Sequence, residues 1–197
     1  MKHMTRSPIT CAARLTGVLV LASVSTAGLP AAQSAALPAV VTPAVAPVVS
    51  LSGDSQSDAF ELEVLRLTNK ARAHSRRCGG KRMKKAKPLR WNSTLGATAH
   101  EHSADMAVQD YCSHYTQSGV SPFTRMRAAG YRYRAAGENI AAGSSLSRPE
   151  AVVKAWLKSP GHCRVLMNRK YRDLGVGRVE GAGRWTVYWT QNFGRSR

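Results

Sequence analysis

The sequence predicts an α+β domain over residues 58–197, with helices packed on a small antiparallel sheet. Three observations predict it. Apolar residues recur at helical spacing in four stretches between residues 58 and 158. Two stretches near the chain's end alternate apolar and polar residues around a Gly181-Ala182-Gly183 turn. The composition, 43% hydrophobic and 20% charged, is that of a globular chain and excludes full-length disorder, collagen and coiled coil.

The elements follow in order. Asp58 is placed to cap a first helix, with Glu61 three residues on, and Phe60, Val64, Leu67 and Ala71 share its apolar face. Ser93 is the expected cap of a second, with Leu95, Ala99, His102 and Met106 on one side. Ser121-Pro122 opens a short third, with Phe123 and Met126 expected inward and Gly130 as its stop. Ser147 and Glu150 have capping-box spacing, and Val152, Val153 and Trp156 carry a fourth helix into the core. Strands are expected at Glu138–Ala142, Leu174–Val179 and Trp185–Phe193. In the last of these Trp185, Val187, Trp189, Gln191 and Phe193 point one way, and Thr186, Tyr188, Thr190 and Asn192 the other. Trp91, Trp156 and Trp189 are expected in the core, as is His102. His100 and Glu101 are expected on the solvent side, and Asp105 as an ordinary partner for an arginine.

Residues 1–36 read as an export signal. Lys2, Arg6 and Arg14 precede or open an apolar stretch of about fifteen residues, and Ser34-Ala35-Ala36 fits small-residue cleavage. A spanning helix needs roughly twenty apolar residues, so no transmembrane segment is expected after cleavage, and Cys11 leaves with the signal. Residues 37–57, with Pro38, Pro43 and Pro47 and then a Ser-Gly-Asp-Ser run, read as a linker.

Charge is the strongest compositional signal. Lys and Arg number 29 against 11 Asp and Glu, a formal net charge of +18 with a sequence pI near 10.6. Such a chain is drawn to polyanions. The stretch from Arg72 to Arg90 holds nine cations and no acid, and its glycines and Pro88 read as a solvated loop. Arg76, Arg77, Lys81, Arg82, Lys84 and Lys85 are its candidate contacts for an anionic partner. The alternative is a solubilising surface. No aromatic residue interleaves the run, so stacking on nucleic-acid bases is not supported and no specific nucleic acid is expected.

Few residues could carry chemistry. His114, Glu138 and His162 each lie beside turn residues. Two imidazoles and a carboxylate could hold zinc with an open position, or could do general acid–base work. Their spacing decides nothing, because only the fold can unite them. No serine has a nucleophile-elbow context, and no glycine-rich phosphate loop precedes a helix.

A run of motifs in one order resembles the CAP superfamily, which takes in cysteine-rich secretory, antigen-five and pathogenesis-related proteins. The motifs are Leu65-x-x-Thr68-Asn69-x-Ala71-Arg72, Pro88-Leu89-x-Trp91-Asn92, His102-x-x-Asp105-Met106-Ala107 and Ser113-His114. Arg125, Ala129-Gly130-Tyr131, Gly137-Glu138-Asn139-Ile140-Ala141, Ser159-Pro160-Gly161-His162, Leu174-Gly175-Val176-Gly177 and Trp189-Thr190-Gln191-x-Phe193-Gly194 continue it. The resemblance implies an α–β–α sandwich and a central cleft lined by two histidines and two acids, which binds zinc in some members. His114 and Glu138 match that set. Ser159 stands where eukaryotic members carry an acid, and Tyr188 where they carry the second histidine, so His162 is the replacement offered here. Zinc, if bound, is then expected on His114 and His162, with Glu138 as ligand or supporting partner. Tyr188, Asn139 and Gln191 are expected to support the cleft.

The resemblance also implies a disulfide between Cys78 and Cys163, which would pin the basic loop beside His162. Cys112 is then left as a buried free thiol, a third soft ligand or a dimer-forming thiol. Two functions follow. The first is a secreted, monomeric binding module for an anionic cell-envelope polymer, lipid or extracellular protein. The second is a secreted hydrolase that activates water with His114, Glu138 and His162, with or without zinc.

Overall fold

The computed structural model of the chain describes residues 54–197. The expected signal and most of the linker lie outside the described residues. The first helix, α1 (Asp54–Arg72), begins a turn before Asp58, so the last four linker residues are helical. A short antiparallel hairpin follows, β1 (Arg76–Cys78) and β2 (Lys81–Met83), inside the stretch read as loop. Its turn uses Gly79 at φ +65°, a conformation that favours glycine.

The main sheet contains β3 (Arg90–Trp91), β4 (Tyr133–Ala142), β5 (Asp173–Glu180) and β6 (Val187–Ser196) in the order β3-β5-β6-β4. The three long strands are antiparallel, as expected. The two-residue β3 runs parallel to β5, so the sheet is mixed and not wholly antiparallel. One face carries α2 (Ser93–Val108) and α3 (Pro122–Ala128). The other carries α1, α4 (Pro149–Lys158) and α5 (Pro160–Leu166), the last a helix that the sequence reading did not separate.

Two glycines of β5 set the depth of α2. A Cβ at Gly175 would fall 2.1 Å from Gly96 N, and one at Gly177 would fall 2.1 Å from His100 N. Both targets are helix backbone, which cannot yield as a flexible side chain can. The Leu174-Gly175-Val176-Gly177 motif is therefore a bed for α2. On the opposite face Trp156 and Trp189 are fully buried. Their indole N–H groups donate to Ile140 O at 3.1 Å and Leu146 O at 2.8 Å, so neither buries an unpaired donor.

Several local expectations need correction. Asn92, not Ser93, caps α2: its side chain accepts from Leu95 N at 2.9 Å. The Ser147–Glu150 box does not form, because α4 starts from Arg148 with Pro149 in its first turn and no side-chain cap. Phe123 is exposed, since only Pro122 and Met126 of α3 turn inward. Trp91 is 36% exposed and lies against Gly96 instead of entering the core. Trp185 precedes β6 and packs on Tyr188, because Thr186 at φ +59° breaks the strand alternation before Val187. Asp105 bonds to Gln109 and Tyr111, not to an arginine. His102 is buried at 1% exposure, and His100 and Glu101 face solvent, all as expected.

Candidate functional site

The segment between α2 and α3 brings His114 to the edge strand β4, and three side chains hold it there. His102 on α2 donates its Nε2–H to Ser113 O at 2.9 Å. Arg125 on α3 donates to His114 O at 3.0 Å and to Val120 O at 3.1 Å. Ser121 accepts from Thr124 N at 3.1 Å and Pro122 follows it, which fixes the start of α3 and with it the reach of Arg125. Burial holds the His102 imidazole below its usual pKa, so it is neutral at pH 7.

Three consecutive residues of β4 do different work because strand side chains alternate. Gly137 leaves room for Tyr171, whose hydroxyl donates to Ala136 O at 3.0 Å; a Cβ there would lie 2.3 Å from that oxygen. Glu138 points to the other face. Its Oε1 accepts from His114 Nδ1 at 2.7 Å and its Oε2 from Arg125 at 2.7 Å, with the Glu138 side chain only 1% exposed. Asn139 turns back toward α5 and donates to His162 O at 3.3 Å and to Gln191 Oε1 at 3.1 Å. Gln191 in turn donates to Thr68 Oγ1 on α1 at 2.9 Å.

His114 is thereby fixed as the Nδ1–H tautomer, with Nε2 as its acceptor, and its side chain keeps 32% exposure. His162 lies on α5. Burial first, and the neighbouring His114 second, push its pKa down to about 4, so it is neutral at pH 7. Its Nδ1 and the Oδ1 of Asn139 are buried and find no hydrogen-bond partner among the described residues. Buried polar atoms without partners call for a water, ion or ligand.

The expected site residues therefore divide. His114 and Glu138 are joined directly, and His162 is close enough to His114 to feel its charge. Asn139, bonded to Gln191, supports His162 from the sheet face that α5 covers. Tyr188 does not offer its hydroxyl to this group: it is fully buried and donates to Asp110 at 2.8 Å. Arg125, to which no role had been given, is the counter-charge of Glu138. A long polar side chain three residues beyond the Pro of a short helix is a weak signal, and only the tertiary pairing gives it meaning.

The disulfide joins Cys78 to Cys163, with Cα atoms 5.4 Å apart, as the resemblance implied. It ties the basic hairpin to the helix that bears His162. At Gly79 a Cβ would come within 3.0 Å of Pro160 Cβ, so the hairpin turn rests on the start of α5. Arg77, Lys81, Arg82, Lys84 and Lys85 are exposed, whereas Arg76 is partly buried. Cys112 is neither buried nor a free thiol: it is partly exposed and disulfide-bonded.

Comparison with known proteins names the class of this α–β–α domain with its His-Glu pair. The profile of the CAP family, the cysteine-rich secretory protein family, matches residues 65–193. The chain belongs to that family. It is 38% identical over 135 residues to the uncharacterized protein YkwD of Bacillus subtilis, a match covering 68% of this chain and 48% of that one. It thus spans about half the length of that relative. The structure of an extracellular protein containing an SCP domain from Bacillus anthracis superposes with a TM-score of 0.58 at 30% identity, covering 71% of this chain and 41% of that one. An outer surface protein from Borrelia burgdorferi shares the fold at 20% identity, with a TM-score of 0.57 over 75% of this chain and 97% of that one. No helix among the described residues is long and apolar enough to cross a membrane.

Proposed function

We propose that this chain is an exported binding domain that docks on an anionic polymer of the cell envelope through its basic hairpin. The observation that carries the reading is the hairpin register. Arg77 stands directly opposite Arg82, and neither strand contains an acid. Like charges directly opposite destabilise a strand pair. The disulfide holds this repulsive pair in place, which suits a surface built for an anion. A disulfide also suits an oxidising compartment, and the Bacillus anthracis neighbour is described as an extracellular protein. Hydrolysis with Glu138 as the acid or base is less well supported, because both its oxygens are engaged.

The test is co-sedimentation of the exported protein with purified envelopes at graded salt. Wild type is expected to sediment and to be released as salt rises. Arg77→Glu with Arg82→Glu is expected to remain in the supernatant at salt concentrations where wild type sediments. Sedimentation equal to wild type would overturn the hairpin reading.

A second reading concerns zinc. Two imidazole rings, His114 with Nε2 presented and His162 with an unpartnered Nδ1, fit a zinc ion as nitrogen ligands. Glu138 fits as the carboxylate that orients His114, not as a ligand. Among the described residues no group of three His, Cys, Asp or Glu is placed to hold a metal, so water or a bound ligand would complete the coordination. Bound zinc would supply Lewis acidity. Zinc titration calorimetry is expected to give one site, lost in His114→Ala and in His162→Ala, and weakened roughly 10–100-fold in Glu138→Gln. Binding untouched by both histidine substitutions would remove this site.

A further inference from the structure

Arg72, at the end of α1, is fully buried and meets no carboxylate among the described residues. Carbonyls satisfy it instead. It donates to Lys87 O at 2.9 and 3.1 Å, to Leu166 O at 2.6 Å and to Asn168 O at 3.1 Å. These acceptors belong to two segments far apart in sequence, and the guanidinium clamps them together. Where the segments meet there is a cavity of about 460 Å³, lined by Lys85, Ala86, Lys87, Arg169 and Arg172. Four of its five lining residues are cationic and none is acidic.

We infer that this cavity is a phosphate-binding pocket that takes the phosphodiester groups of the envelope polymer. The inference rests on the proposed envelope-binding function and names the chemistry of its ligand. Three points argue for it. The cations converge from two separate segments, as a built site requires, and the hairpin's own cations need not take part. Arg72 adds an unneutralised charge beneath them: burial first, and then the Arg172 charge, lower its pKa to about 10, so it stays protonated at pH 7. Arg172 is itself held in place, donating to Arg169 O and Tyr171 O at 2.7 Å. A bound anion relieves self-repulsion of this kind. Arginine forks with two ammonium groups suit an anion with several acceptor oxygens, and the volume admits a phosphate with its flanking polyol.

The test is calorimetric titration of the whole exported protein with poly(glycerol phosphate), with polyglutamate and with anionic phospholipid vesicles. The pocket variants are Arg169→Gln with Arg172→Gln and, from the opposite wall, Lys85→Gln with Lys87→Gln. Both lysines are exposed, so that second variant should fold even if the first is perturbed. Each pocket variant is expected to bind poly(glycerol phosphate) at least tenfold more weakly. Its log–log salt slope should be shallower by roughly 1.5, as for two lost phosphate contacts. Polyglutamate should bind more weakly than the phosphate polymer to wild type. Loss of vesicle binding alone in the pocket variants would keep the phosphate pocket and assign it to lipid headgroups. Wild-type binding of both the phosphate polymer and the vesicles by both pocket variants would overturn the pocket. So would polyglutamate binding of equal strength and equal sensitivity. If wild type sediments with envelopes and the pocket variants still bind normally, the pocket fails and the envelope function stands. If wild type does not sediment at all, the envelope function fails with it.

Discussion

Replacing Arg125 by alanine is expected to destabilise the protein by about 3–5 kcal/mol, the cost of leaving one partner of a buried ion pair uncompensated. Glu138 is the partner at risk. Its side chain is 1% exposed, and Arg125, itself 12% exposed, supplies the only permanent positive charge bonded to it among the described residues. His114 contacts the other oxygen, but as an Nδ1–H donor that carries a charge only when protonated. Without Arg125 the carboxylate either stays ionised in a poor solvent or takes up a proton. Arg125→Ala combined with Glu138→Gln should recover part of the loss, because no charge is then buried. Urea unfolding of the four proteins at pH 7 measures this. A single-variant loss below about 1 kcal/mol, or a double variant no better than Arg125→Ala, would mean that the pair is not the anchor of the His114 segment.

The fold was legible because its signals are local and repetitive. The faces of β6 were correct from Val187 onward, since Val187, Trp189 and Phe193 enter the core with α1, α4 and α5. Thr190 and Asn192 instead bond toward α2. Where the pattern misled, the cause was a single backbone feature. Thr186 at φ +59° reverses Trp185, and Asn92 outcompetes Ser93 as a cap by placing its carbonyl oxygen on Leu95 N. Helix α5 escaped notice because seven residues opening with Pro-Gly carry little periodicity.

The candidate site was legible in part. His114 and Glu138 could be named, but the residues that fix them reach across distant parts of the chain, and no periodicity reports such pairings. The same holds for the family motifs. Asn69 brackets Leu89, donating to its carbonyl at 3.0 Å and accepting from its N–H at 2.8 Å, while Thr68 supports Gln191. Arg72 closes the carbonyl ring described above. Much of this motif set is thus scaffold, and a scaffold does not by itself assign a function.

The largest single effect is expected from the disulfide. Cys78 and Cys163 are separated by 85 residues and both are fully buried in the core shared by α1, α4 and α5. Chain entropy assigns a cross-link over such a loop about 4–5 kcal/mol, because the unfolded chain loses the freedom that the link removes. Cys78→Ala with Cys163→Ala, which buries no new hydroxyl, should lower stability by up to that amount. At a slope of about 2 kcal/mol per molar urea, that is a fall of roughly 2 M in the midpoint. The effect should also be local. The hairpin is two three-residue strands anchored on the domain by Cys78, by Met83 against the core and by the Gly79 turn over Pro160. An isolated hairpin of that size is not stable by itself. Trypsin should therefore cut the unlinked variant within Arg76–Lys85 under native conditions, before the rest of the domain opens, while the oxidised protein resists. A variant as stable as wild type and equally resistant to trypsin would show that packing alone holds the hairpin. The register repulsion between Arg77 and Arg82 would then need no covalent restraint.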